Sequence, residues 1–105
     1  MAEHLNEETF DAFVTRSASP VLVDFYRDGC IPCRRVAPLL SKAGTEYAGR
    51  LEIARVNVDQ NPALSEKFQI AAAPTLLLLR SGKEIGRRRG AIGLDALKAF
   101  IEAAL

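Results

Sequence analysis

The run Val21-Leu22-Val23-Asp24-Phe25-Tyr26, with the helical pattern that follows it, constrains this chain more than any other stretch. It is rich in β-branched and aromatic side chains and lacks the alternation of a half-wetted strand, so it reads as a central strand buried on both faces. From Ile31 to about Tyr47, Val36, Leu39, Leu40, Ala43 and Tyr47 recur at helical spacing. Pro38 lies inside that pattern and removes the bond back to Arg34, which predicts a kink there. Leu51 to Val58 then reads as a second strand. Strand, helix and strand in this order predict a parallel pair with a right-handed crossover.

The flanking segments complete an α/β pattern. A short strand is expected around Ala2 to Leu5, then a helix capped by Asn6, with Glu7-Glu8 in its first turn and Leu5 and Phe10 as a hydrophobic staple. Phe10, Phe13 and Val14 form its core face, and Ser17-Ala18-Ser19-Pro20 ends it. Asp59-Gln60-Asn61-Pro62 turns into a short helix over Ala63 to Phe68. Thr75–Arg80 and Lys83–Arg89, joined by Ser81-Gly82, read as an antiparallel hairpin, and Leu94 to Leu105 as a closing helix packing through Leu94, Leu97, Phe100 and Ile101. The prediction is a central mixed β-sheet flanked by helices on both faces. At 105 residues and 49% hydrophobic, the chain supports one core, hence a single domain over 1–105.

Composition narrows the partners. A formal net charge of +1 gives no whole-molecule reason to expect nucleic acid or membrane binding, and no apolar run is long enough to span a bilayer. The polar, acidic first residues do not read as a signal peptide, so a reducing cytoplasm is the expected home, where a disulfide would be transient and catalytic.

The only two cysteines, Cys30 and Cys33, stand where the strand gives way to the helix, close enough to form a disulfide. A thiol attacks a disulfide as thiolate, and a second thiol must be in reach to resolve the mixed disulfide. If Cys30 lies at the helix N-terminus, unpaired backbone N–H groups and the dipole favour its anion, and a pKa near 7 rather than about 8.5 is expected. Cys33 would share that face, Pro32 suits a first turn because its absent N–H has no partner there, and Arg34 and Arg35 add positive charge. Two other uses of such a pair compete. An intramolecular zinc site needs four Cys or His ligands, and the only histidine is the remote His4, although two chains could pool their cysteines around a metal or cluster; alternatively the thiols are inert core groups. Asp24, amid apolar residues, either exchanges a proton with the thiols, with Cys33 through a water, or is a strand-end carboxylate paired with solvent or a base.

Val23-Asp24-Phe25-Tyr26, Cys30-Ile31-Pro32-Cys33-Arg34, Ala37-Pro38, Asn57-Val58-Asp59, Ala73-Pro74-Thr75, Ser81-Gly82-Lys83 and Gly90-Ala91 together resemble the thioredoxin family in order and spacing, over almost the whole chain. The resemblance implies the thioredoxin fold and protein dithiol–disulfide exchange, with Cys30 attacking and Cys33 resolving. It places Asp24 on the family's buried proton-transfer acid, Arg55 near it, and Pro74 on a cis-proline facing the dithiol, where the Ala73 backbone is free to pair with an extended substrate segment. Without it, Pro74 reads as a strand-start proline in a trans bond. It also brings Arg89 and Gly90 to the dithiol surface, so that Gly29, Ile31, Pro32, Ala73, Pro74, Arg89 and Gly90 form the expected substrate-binding set.

The chain departs from the family pattern at Gly29, where a Trp is usual, at Tyr26, where another Trp is usual, and at Ile31 in place of Gly. These changes bear on partner choice and redox poise, since about 30 mV corresponds to only about 1.4 kcal/mol. Arg87-Arg88-Arg89 reads first as a solvated, aggregation-resistant edge strand; alternatively Arg34, Arg35 and Arg89 favour acidic partners. The expected partners are disulfide-containing target proteins and a thioredoxin-reductase-type electron donor acting on a monomer. No cofactor is expected, because no Gly-rich dinucleotide fingerprint would let the chain accept hydride. A glutaredoxin fits the residues around Cys30 and Pro74 less well. Rival readings are a partner-binding or cluster-bridging module, or a disulfide isomerase or oxidant of the same fold.

Overall fold

The computed structural model, which describes residues 2–105, contains five strands and four helices. They are β1 (Glu3–His4), α1 (Phe10–Arg16), β2 (Val21–Tyr26), α2 (Ile31–Glu46), β3 (Glu52–Asn57), α3 (Pro62–Lys67), β4 (Thr75–Arg80), β5 (Lys83–Arg89) and α4 (Leu94–Glu102). The strands form one mixed sheet in the order β1-β3-β2-β4-β5. β2 pairs parallel with β3 and antiparallel with β4, so its backbone groups find partners on both sides. Central position explains why all of Val21 to Phe25 are buried.

Side-chain alternation splits the core in two. Val21, Val23 and Phe25 face Phe10 and Val14 of α1 and Leu64 of α3, while Leu22 faces Val36, Leu40 and Ala43 of α2 and Leu97 and Ile101 of α4. Phe10, Phe25 and Phe68 meet at tilted angles, with centroids 5.4–6.4 Å apart. At the far end of α2, the Tyr47 hydroxyl donates to Glu102, and Lys98 pairs with Glu46 at 3.0 Å, tying α2 to α4.

Two expected boundaries move. Asn6 does cap, its Oδ1 accepting from the N–H groups of Glu8 (2.8 Å) and Thr9 (3.0 Å), but residues 7–9 form a turn and α1 begins at Phe10. Leu5 and Phe10 are both buried in one cluster, as the staple predicts. α2 continues through Pro38 to Glu46. α4 ends at Glu102, three residues before the expected limit at Leu105.

The β4–β5 hairpin sets the register that matters for the site. Ser81 (φ 53°) and Gly82 (φ 81°) both adopt the left-handed conformation that a two-residue turn of right-handed twist requires. Leu78 pairs with Gly86 and Leu79 with Glu84, so Ile85 is the extra residue of a bulge. The strand then runs to Arg89 opposite Thr75, which delivers Gly90 to Pro74.

Candidate active site around the Cys30–Cys33 disulfide

The dithiol sits where β2 hands over to α2. Gly29, at φ +72° with open space where a Cβ would point, makes the sharp turn out of the strand. Cys30 is the N-cap of α2, Pro32 lies in the first turn as expected, and the Cys33 N–H points at Cys30 Sγ at 3.2 Å. A disulfide joins Cys30 to Cys33, with their Cα atoms 5.2 Å apart. Cys33 is 3% exposed, whereas Cys30 is half-buried. Ile31 between them is 61% exposed, the most open large apolar side chain among the described residues.

A second element closes over the sulfur. The Ala73–Pro74 peptide is cis, and the Ala73 carbonyl oxygen lies 3.6 Å from Cys30 Sγ. Thr75 anchors this loop by donating its hydroxyl to the Ala72 carbonyl at 2.6 Å, and Gly90 N–H donates to the Pro74 carbonyl at 2.8 Å. Pro74 therefore ends a loop and precedes β4, so its place at the strand start and its place beside the dithiol are both realised.

Asp24 is fully buried and, by alternation with Leu22, lies on the sheet face covered by α2 and α4. Its Oδ2 accepts from Arg55 Nε at 3.0 Å, across the β2–β3 register that places Asp24 opposite Arg55. Its Oδ1 has no hydrogen-bond partner. Burial raises the carboxyl pKa above its ordinary value, outweighing the charge and hydrogen bond of Arg55, which act the other way. Arg55 in turn packs its guanidinium 4.0 Å from the centre of the Tyr26 ring. Tyr26, noted in the sequence only as a replacement for Trp, thus braces the partner of the buried acid. The signal was present but diagonal: Tyr26 pairs with Asn57, two residues beyond Arg55 on the same face.

The remaining expected residues divide. Gly29, Ile31, Pro32, Ala73, Pro74 and Gly90 gather at the sulfur or at the loop touching it, and Arg89 is exposed beside them at the end of β5. Arg87 does not lie free on a solvated edge. It is half-buried, chelates Glu84 with two hydrogen bonds of 2.8–2.9 Å and donates to the Phe68 carbonyl at 2.8 Å, because β5 alternation turns it back over the α1–α3 face. Among the described residues no group of three or more His, Cys, Asp or Glu side chains is arranged to hold a metal ion.

Comparison with known proteins agrees with this geometry. The thioredoxin family model matches residues 1–103. The chain belongs to the thioredoxin family. It is 38% identical to a thioredoxin of Acidithiobacillus ferridurans over 97% of this chain and 94% of that one. Its identity to thioredoxins of Haemophilus influenzae and Allochromatium vinosum is 37% and 36%, over 93% and 95% of this chain and 92% and 94% of theirs. Like them it is a thiol–disulfide oxidoreductase, and Cys30–Cys33 is its redox-active pair. No helix among the described residues is long and apolar enough to cross a membrane.

Proposed function

We propose that this thioredoxin-family chain works as a reductase of protein disulfides. The observation that carries the reading is the asymmetry of the pair: Cys30 is reachable at a helix N-terminus, and Cys33 is buried behind it. In the reduced protein, the first-turn N–H groups favour the Cys30 thiolate. That thiolate attacks one sulfur of a target disulfide; the new S–S bond forms as the target's bond breaks, and the other target thiolate departs and takes up a proton. Asp24, through the free Oδ1, accepts the Cys33 proton. Cys33 thiolate then attacks Cys30 Sγ, and the second target sulfur leaves as thiolate and takes up a proton from water. Two electrons pass from the dithiol to the target.

The substrate segment lies along Ile31, Pro32 and the Ala73–Pro74 loop, with Gly29 and Gly90 leaving room at its sides and Arg89 at its edge. The exposed apolar Ile31 and the Ala73 backbone beside Cys30 support this placement. A separate thioredoxin-reductase-type donor restores the dithiol, and the setting is a reducing cytoplasm, where such a disulfide is transient. The reduction potential of the pair, measured in thiol–disulfide buffers, tests the direction. A value near about −270 mV is expected; one of roughly −180 to −120 mV would overturn reduction in favour of disulfide transfer or shuffling.

A further inference from the structure

The charge around the dithiol selects among disulfides. The chain as a whole carries only +1; exposed cations outside ion pairs are spread over it, Arg16, Lys42, Arg50 and Lys83 among them, and three others flank the dithiol. Arg34 and Arg35 on α2 and Arg89 at the end of β5 are exposed, and none of the three is in an ion pair among the described residues. By contrast Arg27, Arg55 and Arg87 are each paired, with Asp59, Asp24 and Glu84. Arg34 follows Cys30, and Arg35 follows Ile31, by one helical turn, so both stand on the stripes that lead away from the sulfur. On the other side, Arg89 precedes Gly90, whose N–H holds the Pro74 carbonyl, one residue from the carbonyl that touches Cys30 Sγ.

Of the acids nearby in sequence, Asp59 is paired with Arg27, while Asp28 accepts from the Asn57 amide at 3.3 Å and is the one carboxylate set against the three arginines. Between the two basic arms, the exposed surface at Ile31, Pro32, Ala71 and Ala72 is uncharged. A guanidinium offers a planar fork matched to a carboxylate, and arms of one sign steer oppositely charged partners before contact.

We propose that the preferred partners are disulfides in extended segments that carry Asp or Glu within a few residues of the cysteine on both sides. The proposal rests on the reductase reading and deepens it. The test uses three synthetic peptides with the same disulfide, flanked by Glu, Gln or Lys, and the pre-reduced full chain. Second-order rates are measured by stopped flow, each divided by the rate of dithiothreitol on the same peptide to remove intrinsic reactivity. At low ionic strength the order Glu, Gln, Lys is expected, spanning about tenfold or more. In about 0.5 M salt the spread should largely collapse. The double variant Arg34→Glu/Arg35→Glu should reduce or reverse the order. Equal rates for the three peptides at low salt, or an order indifferent to the charge reversal, overturn the charge selection alone. Failure to reduce any of the three overturns the reductase reading and the selection with it.

Discussion

At Asp24 two effects oppose each other, and their balance is measurable. Burial raises the carboxyl pKa while Arg55 lowers it, and burial wins. In the unfolded chain the group titrates near its ordinary 3.8. Between that value and the higher folded one, the native state holds a proton that the unfolded state has released, so stability falls as pH rises through this window. Above it the cost is fully present. Asp24→Asn keeps an acceptor for Arg55 and removes the buried charge, so it should stabilise the protein near neutrality by about 1–3 kcal/mol. Urea unfolding at several pH values should show a slope for the parent in the acid-to-neutral range and a flatter line for the variant; parallel lines would contradict the assignment. On the proposed role of Asp24 as proton acceptor, the variant should also reduce a target disulfide about 10²-fold more slowly near neutrality, the lower end for a general base. The acid itself was legible as a charged residue in an apolar run. Which oxygen is free, and that Tyr26 braces Arg55, depended on the β2–β3 register, which sequence pattern does not specify.

Elements with a strong periodic or turn signal were legible to the residue: β2, β4 and β5 lie where the apolar run and the Ser81-Gly82 turn place them. Less was legible where a local side chain competes with the helix, as Asn6 does by closing residues 7–9 into a turn before α1. The Ile85 bulge and the inward turn of Arg87 were not legible, because both follow from pairing with β4. The cis Ala73–Pro74 bond came only through the family resemblance. The hairpin offers a test of its own turn chemistry. Gly82 at φ 81° tolerates no Cβ without strain, and the added carbon would make a 3.4 Å contact with Thr15 Oγ1, so the cost is mainly conformational. Gly82→Ala should destabilise by about 1–2 kcal/mol. Ser81→Asn, which suits a positive φ better, should stabilise by about 0.5 kcal/mol. Paired thermal melts check both, and a neutral Gly82→Ala would show that the turn takes another form.

At the scale of the molecule, β2 and β4 belong to both cores at once. Val21, Val23 and Phe25 fill the α1–α3 side, and Leu22 fills the α2–α4 side; Leu77 and Leu79 against Leu76 and Leu78 do the same on β4. Neither side can lose its packing while these two strands keep their side chains buried, so the two clusters should unfold together although no side chain spans them. Phe10→Ala removes a buried ring from one side, and Leu97→Ala removes a buried branched chain from the other. The expected losses are about 3–5 and 2–5 kcal/mol, each seen as a shift of one transition. The chain has no Trp, so its two tyrosines serve as optical probes. Tyr47 reports on the α2–α4 side, and far-ultraviolet dichroism on the whole. Coincident transitions are expected in the parent and in both variants. If Phe10→Ala separated a Tyr47 transition from the dichroism, the two faces would be independent units, and the site, built where β2 meets α2, would depend on the α2–α4 side alone.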